Sequence, residues 1–264
     1  MLFKNIIKIQ GGLGNQMFQY AHGRSEELSG KKIIFDNSFF TGNKLEKDTA
    51  RNFKLNKFNI ATNTEFFPKS HLIFDIWTKI KRRLGLNVDI YFQNEKYFIN
   101  IADEIKKEFT LKKPLSDKAQ EILDNIKNNN STSLHIRRGD YINNKETNSF
   151  HGICGVDYYQ KSMNMVKEKI FNPVFFIFSD DIVWAKENFI GSEFVFVSCP
   201  EIEDVEEMIL MSKCKHNIIA NSSFSWWGAW LNNNPGKIVI APKRWFNNKK
   251  ANQNDIVPES WIKI

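Results

Sequence analysis

The feature that most constrains the fold is an alternation of apolar strands and helices in the second half of the chain. Short runs rich in Val, Ile and Phe recur there between helical segments: SLHI, VFFIFS, FVFVS, HNIIA and KIVIAP. Strands that are apolar on both faces and alternate with helices are typical of a parallel sheet covered on both sides. The sequence therefore predicts an α/β fold, in which ligands usually bind at the carboxyl ends of the strands.

The opening of the chain predicts a second α/β unit. NIIKIQ is predicted as a strand, GGLGN as a turn, QMFQYAHGRSEEL as a helix and KKIIFD as another strand. This order is the usual start of an α/β domain. Further on, Ser116 is predicted to cap a helix, and the polar stretch NNNST follows it. We place the domain boundary at this stretch, giving residues 1–128 and 129–264.

Composition limits the partners and the compartment. A chain of 264 residues with a net charge of +7 can build two cores and favours an anionic partner. Its three cysteines form no CxxC pair or disulfide framework, so we expect free thiols in a reducing compartment. No apolar run approaches the ~20 residues of a membrane span, and the N-terminus is unlike a signal peptide. We expect a cytoplasmic protein.

The first stretch whose residues could bind a ligand is GGLGNQMFQYA, residues 11 to 21. Glycines between a strand and a helix either form a tight turn or let backbone N–H groups approach a phosphate. Gly12 and Gly14 fit a dinucleotide fingerprint, but Met17 occupies its third glycine position. Asn15 and Gln16 supply polar groups where the loop opens, which suits recognition of a hydroxyl or a phosphate.

The second stretch is HIRRGDY, residues 135 to 141. Alternation along the strand sends Arg137 and Arg138 to opposite faces, so one can reach a ligand while the other pairs with an acid such as Asp140. A guanidinium fork suits a phosphate. The alternative is an ion pair at a strand end. His135 is either a buried core histidine or a ligand contact.

The third stretch is FSDD, residues 178 to 181. A carboxylate of Asp180 or Asp181 can accept hydrogen bonds from a guanine, or it can cap the next helix, and capping is favoured for one of the two. The sequence contains no D-x-D. The usual metal anchor of one large class of sugar transferases is therefore missing.

The fourth stretch is ANSSFSWWGAWL, residues 220 to 231. It begins at a strand-to-helix junction, where hydroxyl and N–H groups can hold an anion. The polar residues at this junction are Asn221, Ser222 and Ser223. The three tryptophans that follow are predicted to pack the helix rather than to stack on a ligand: Trp226, Trp227 and Trp230.

Taken together, these stretches resemble the bacterial α-1,2-fucosyltransferases of glycosyltransferase family 11. The resemblance rests on GGLGNQMFQYA, YFQNEKYF, HIRRGDY, FSDD and CKHNIIANSSFSWWGAWL, in this order. It implies a GT-B-like fold, with two Rossmann-like units facing across a cleft. It also implies inverting, metal-independent transfer of L-fucose from GDP-β-L-fucose to O2 of a terminal galactose, as in O-antigen synthesis. Neither a cofactor nor nucleic acid is expected as a partner.

The resemblance also implies roles for individual residues. Arg137 is expected to clamp the diphosphate as a catalytic residue, with Arg138 in support. The residues expected to bind the donor are Gly14, Asn15, His135, Arg138, Asp180, Asp181, Asn221, Ser222 and Ser223. A general base would help the attacking hydroxyl, and we hypothesise Asp140, with Glu146 or water as alternatives.

Three alternatives concern other functions or partners. The segment FDIWTKIKRRLGL, residues 74 to 86, is either an amphipathic contact to an anionic membrane or a basic face over a core helix. Membrane contact would suit a lipid-linked glycan acceptor. Asp36 at the end of the second strand and the GGLG turn leave a nucleotide-binding oxidoreductase as an alternative. Net charge and aromatic content leave a non-catalytic sugar or nucleic-acid binder as another.

Overall fold

The computed structural model describes residues 6–40, 52–61, 66–67, 90–139, 152–247 and 256–264. The chain divides into two compact units, Met1–Lys112 and Lys113–Ile264. Three predictions made from the sequence fall outside the described residues: Asp140, Glu146 and the segment 74 to 86.

The first unit contains a parallel sheet with the order β1–β2–β3. Its strands are β1 (Ile6–Lys8), β2 (Ile34–Asp36) and β3 (Phe66–Phe67). Helix α1 (Leu13–Leu28) connects β1 to β2, and helix α2 (Ala102–Glu108) lies near the end of the unit. Short 3-10 turns cover Ser38–Phe40, Leu55–Lys57, Glu95–Tyr97 and Ile99–Ile101. The predicted strand–turn–helix–strand opening is confirmed.

Helix α1 is held by close packing and by a shared carboxylate. Gly23 faces β2 so closely that a Cβ atom there would lie 2.4 Å from Phe35 Cε1. On the same helix, the Tyr20 hydroxyl donates to Glu108 Oε2 at 2.6 Å, and Arg24 Nε donates to Glu108 Oε1 at 2.9 Å. Because hydrogen bonds to a charged group are stronger than those between neutral groups, the Glu108 carboxylate stabilises the packing of α1 against α2.

The second unit contains a parallel sheet with the order β6–β5–β4–β7–β8–β9. The strands are β4 (Asn130–Ile136), β5 (Pro173–Ser179), β6 (Phe194–Phe196), β7 (His216–Ile218), β8 (Val239–Ala241) and β9 (Ile262–Lys263). The helices are α3 (Asp117–Lys127), α4 (Val156–Lys167), α5 (Ile182–Asn188), α6 (Asp204–Lys213) and α7 (Ser223–Trp230). Both units thus have the parallel α/β organisation that the GT-B-like prediction requires.

Helix α3 belongs to the second unit, although the boundary predicted from the sequence lies after it, between residues 128 and 129. The helix packs against α6, and the Ser116 N–H just before it donates to Glu206 Oε1 at 2.6 Å. The Ser116 hydroxyl accepts from the Ala119 N–H at 3.3 Å, which confirms the predicted cap. The first two residues of NNNST are therefore a turn, and the last three begin β4 within one compact unit.

The tryptophans of α7 form part of the core. Trp226 and Trp227 are fully buried, and Trp226 Nε1 donates to Ile256 O at 2.8 Å. Trp226 and Trp230 are stacked with their ring centroids 6.1 Å apart. The prediction that these rings pack the helix is confirmed.

The cysteines are free thiols, as predicted: Cys154, Cys199 and Cys214. Burial raises the pKa of the Cys154 thiol to about 11. Across the described parts of the chain, every helix is too short or too polar to cross a membrane.

Candidate active site

The strand order of the second unit brings the sequence motifs to one edge of its sheet. From β4 the chain adds β5 and β6 on one side, then returns to the other side of β4 with β7. At such a switch point the connections leave in opposite directions and open a crevice at the carboxyl ends of the strands. HIRRG begins in the last two residues of β4 and continues into the turn after it, and ANSS follows β7, so these two motifs flank the crevice.

Asp180, at the end of the neighbouring strand β5, binds the turn that carries the arginines. Its Oδ1 accepts from the Arg138 N–H at 2.8 Å, and its Oδ2 accepts from the Gly139 N–H at 3.1 Å. Arg137 Nη1 lies 3.0 Å from the same Oδ2. One carboxylate therefore fixes the backbone after β4 and orients the first guanidinium.

Arg138 has a different set of neighbours. Its guanidinium lies 3.8 Å from the ring centroid of Trp184, and its Nε lies 3.5 Å from Asp181 Oδ2. Asp181 also caps α5, because its Oδ1 accepts from the Trp184 N–H at 3.2 Å. Capping by one of the two FSDD carboxylates is thus confirmed. Trp184 was not predicted as part of the site. The sequence signal that could have identified it is an aromatic residue about one helical turn after an acid that follows a strand.

Each arginine thus has a carboxylate partner, and the partners come from β5. The ion pairs expected at the strand end are present. Asp140, the acid proposed as a partner from the sequence, lies outside the described residues. The pairing across β4 and β5 could not be predicted from the HIRRGDY motif alone, because it depends on which strands are neighbours.

His135 lies at the end of β4 and is buried, with 4% of its surface exposed. Burial, and then the charge of Arg137, lower its pKa from 6.5 to about 3. The ring is therefore neutral at physiological pH. Its Nδ1 has no hydrogen-bond partner among the described residues, and its centroid lies 5.6 Å from that of Phe224 on α7. A neutral imidazole with an unused nitrogen thus lies beside the start of α7.

Of the polar residues after β7, Asn221 has a structural role and Ser222 caps a helix. The Asn221 amide donates to Gly152 O and to Trp245 O, each at 3.2 Å, and its Oδ1 accepts from the Cys154 thiol at 3.6 Å. Asn221 therefore holds neighbouring segments together.

Ser222 begins the next element. Its Oγ accepts from the Phe224 N–H at 3.3 Å as the N-cap of α7, and Ser223 is the first residue of that helix. A serine hydroxyl that accepts one hydrogen bond keeps its own O–H as a donor.

Gly14 and Asn15 lie at the start of α1 in the first unit. Gln16, the polar neighbour singled out in the sequence, is fully buried. Its Nε2 donates to Gly11 O at 3.0 Å and to Asn52 O at 2.9 Å, and its Oε1 accepts from the Lys54 N–H at 3.0 Å. Gln16 is therefore structural, whereas the side chain of Asn15 is partly exposed.

Within the described ranges, no group of three or more His, Cys, Asp or Glu residues is arranged to hold a metal ion.

A parallel sheet with arginines and a serine-capped helix flanking its switch point is typical of α/β proteins that bind phosphorylated ligands. The family model described as Glycosyl transferase family 11 matches residues 2–264, and the chain belongs to this family. An α-1,2-colitosyltransferase of Escherichia coli is 37% identical over 292 aligned positions, which cover 98% of each chain.

Two further relatives are similar to the chain. The O-antigen biosynthesis glycosyltransferase WbnK of Escherichia coli is 34% identical, over 97% of this chain and 99% of its own length. Galactoside α-(1,2)-fucosyltransferase 2 of Rattus norvegicus is 29% identical over 144 positions, 51% of this chain and 40% of its own. Membership of a glycosyltransferase family argues against the oxidoreductase and the non-catalytic binder.

Proposed function

We propose that the protein transfers L-fucose from GDP-β-L-fucose to O2 of a terminal galactose in a glycan acceptor, inverting the anomeric centre without a metal. The observation that carries this proposal is the position of Arg137 at the switch point of the second sheet, fixed by Asp180. Support for the reaction comes from the family and from relatives named as an O-antigen glycosyltransferase and a galactoside α-(1,2)-fucosyltransferase.

In this proposal Arg137 clamps the diphosphate. The bond between fucose C1 and the diphosphate oxygen breaks with its electron pair moving to GDP, while galactose O2 attacks C1 from the opposite face. Negative charge therefore grows on GDP, and donors that are already oriented stabilise the transition state more than the ground state. Ser222 and Ser223 at the start of α7 add hydroxyl and N–H donors to the same phosphates.

The remaining donor contacts proposed within the second unit follow from the same edge of its sheet, whereas those of Gly14 and Asn15 rest on the family resemblance alone. Among the two FSDD carboxylates we propose Asp181 for the guanine, because both oxygens of Asp180 accept hydrogen bonds from the turn after β4, whereas the oxygen of Asp181 that caps α5 is Oδ1 alone. His135 offers a neutral ring nitrogen to the guanosine, and Arg138 supports the network. Gly14 and Asn15 are proposed to contact the donor near the transferred sugar, and Asn221 to position the strand end.

We further propose Asp140 as the general base that takes the proton from galactose O2. In the sequence, Asp140 directly follows Gly139, and the Gly139 N–H donates to Asp180. An Asp140→Asn variant should bind GDP normally and lose turnover, by about 10²- to 10⁴-fold for loss of a general base. Near-full turnover in this variant would assign the proton to water or to another carboxylate.

A second donor is favoured by one observation, since the relative that aligns over 98% of both chains is named as an α-1,2-colitosyltransferase. Colitose is L-fucose without the hydroxyl at C3, so the two donors share the GDP group and differ by one oxygen. A site that hydrogen-bonds this hydroxyl rejects the deoxy sugar strongly, because its own polar groups are then left unpaired. The ratio of kcat/KM for the two donors therefore decides between them.

The experiment offers GDP-fucose and GDP-colitose, in excess EDTA, with a β-galactoside acceptor and with its 2-deoxy analogue as the control. We expect transfer of fucose to the galactoside, none to the 2-deoxy analogue, and an α-1,2 linkage in the product by NMR. Transfer of colitose but not of fucose would show that the donor is GDP-colitose and not GDP-fucose. Transfer that stops in EDTA would overturn the metal-independent mechanism.

We also propose that the enzyme works in the cytoplasm, where its basic segment 74 to 86 touches an anionic membrane that carries a lipid-linked acceptor. The pattern of apolar and basic residues in this segment supports the contact. Flotation with anionic liposomes should recover the wild type, and neutralising Lys79, Lys81, Arg82 and Arg83 should abolish it. Equal recovery of both proteins would contradict the contact.

A further inference from the structure

The motif YFQNEKYF, which the proposed mechanism leaves without a role, and Ile90 just before it lie along α1 between Asn15 and His22. Gln93 Nε2 donates to Asn15 Oδ1 at 2.7 Å, and Gln19 Nε2 donates to Ile90 O at 3.2 Å. The ring of Phe92 stacks on His22, with centroids 4.0 Å apart. Contacts at three levels of α1 therefore hold residues 90 to 93 beside the start of the helix.

The backbone of this segment is strained where Gln93 turns towards Asn15. Phe92 has a φ of +52°, in the left-handed region that costs a residue with a side chain about 1–2 kcal/mol. The Asn94 N–H donates to Phe92 O at 2.7 Å, and Asn94 Oδ1 accepts from the Lys96 N–H at 2.8 Å. Strain of this kind persists only where the surrounding contacts fix it, and it often accompanies functional sites.

The hydrogen bond from Gln93 uses one end of the Asn15 amide and leaves the other available. Among the residues that the structure describes, Asn15 Nδ2 donates to no acceptor. This nitrogen lies over the glycine turn, 3.0 Å from where a Cβ atom on Gly11 would be. With its oxygen held towards Gln93, Asn15 turns its two N–H donors away from residue 93 and towards a ligand.

We propose that Gln93 is a positioning residue that fixes the orientation of the Asn15 amide, so that Asn15 recognises an acceptor oxygen of the donor substrate, such as a phosphate or ring oxygen. The inference rests on the proposed function, in which Asn15 contacts the donor. It specifies the chemistry of that contact and gives YFQNEKYF a role in it.

Two variants of nearly the same size separate orientation from packing. In Gln93→Glu the side chain can only accept, so Asn15 must turn its Nδ2 towards residue 93 and present Oδ1 to the ligand. Gln93→Met fills the same space but favours neither orientation of the Asn15 amide. We expect kcat/KM for the donor to fall by about 2- to 10-fold in Gln93→Met and by about 10- to 100-fold in Gln93→Glu, the range for a missing and a mismatched hydrogen bond.

The control repeats both changes in an Asn15→Ala background. If Gln93 acts through Asn15, both effects disappear there, while the melting temperatures of the matched pairs stay equal. Full activity of Gln93→Glu, or losses that persist without Asn15, would overturn the inference.

A measurement that needs no substrate tests the orientation itself. In ¹⁵N NMR spectra of the side-chain amides, the Nδ2 protons of Asn15 should exchange rapidly in the wild type and slowly in Gln93→Glu. Protection of these protons in the wild type would contradict the inference. If the NMR result is as expected but the wild type transfers neither sugar, the proposed function fails and the orientation of Asn15 stands.

Discussion

Asp180 Oδ2 lies 3.0 Å from Arg137 Nη1 and also accepts the N–H of Gly139 at 3.1 Å. A single carboxylate at the end of β5 thereby sets both the conformation of the turn after β4 and the direction of its first guanidinium. About a quarter of the Asp180 side chain and slightly less of Arg137 remain exposed. Asp180 therefore orients a guanidinium that a ligand can still reach.

The first prediction compares the two neighbouring acids. Asp180→Asn removes the charge that faces Arg137 and one acceptor from the turn, so the free energy of unfolding should fall by about 1–3 kcal/mol. Asp181→Asn keeps an amide oxygen that can still cap α5, so its free energy of unfolding should fall by less than that of Asp180→Asn. Urea denaturation of both variants provides the measurement. A larger loss for Asp181→Asn would contradict the assigned roles.

The second prediction concerns Arg138 and the indole beneath it. A guanidinium 3.8 Å from an indole centroid should be coupled to it by about 0.5–2 kcal/mol. A double-mutant cycle with Arg138→Met and Trp184→Leu isolates this coupling from the packing that each change disturbs. Additive effects of the two substitutions on unfolding would show that the stack contributes nothing.

The class of fold and the identity of the motifs could be predicted from the sequence, because both depend on local pattern. Apolar strands alternating with helices specified a parallel sheet. Ser116 and one of the two FSDD carboxylates were predicted as caps from their place before helices, and the structure shows that the second cap is Asp181. The place of α3 in the second unit could not be predicted, because it depends on packing against α6.

Several features of the candidate site arise from tertiary neighbours. The pairing of Arg137 with Asp180 requires β4 beside β5. The structural use of Gln16 depends on residues 52 and 54, more than 30 positions away in the chain. The sequence therefore indicated which polar side chains lie at the strand ends, but the contacts that hold Gln16 and Arg137 in place depend on the folded chain.

The third prediction follows from the lowered pKa of His135. The folded protein keeps this imidazole neutral down to about pH 3, whereas in the unfolded chain it takes up a proton below about pH 6.5. Stability therefore falls as the pH decreases from about 6.5 towards 3.

Replacing His135 with Gln removes this contribution. Between about pH 7 and pH 5 the wild type should lose on the order of 2 kcal/mol more than His135→Gln, at about 1.4 kcal/mol per pKa unit. Urea unfolding of both proteins at each pH gives the difference, and the other titrating groups cancel in it. Parallel pH profiles would contradict a buried neutral imidazole.

The fourth prediction tests the close approach of α1 to β2. Gly23→Ala places a Cβ atom 2.4 Å from the ring of Phe35, and overpacking of this kind costs about 1–3 kcal/mol. In an exposed helix the same change would stabilise. The melting temperature should therefore fall in Gly23→Ala and recover in part when Phe35→Leu makes room. A gain in stability for Gly23→Ala would contradict the packing.

The central claim, that Arg137 binds the diphosphate of a GDP-linked sugar, is tested most directly by calorimetric titration of GDP and UDP in EDTA. The proteins are the wild type, Arg137→Ala and Lys118→Ala, the last removing an exposed positive charge from α3 as the matched control. We predict that the wild type and Lys118→Ala prefer GDP, and that Arg137→Ala weakens GDP binding about 10- to 150-fold, the range for a hydrogen bond to a charged group. Equal binding of GDP and UDP, or unchanged GDP binding by Arg137→Ala, would contradict the account and leave Arg137 as a structural partner of Asp180.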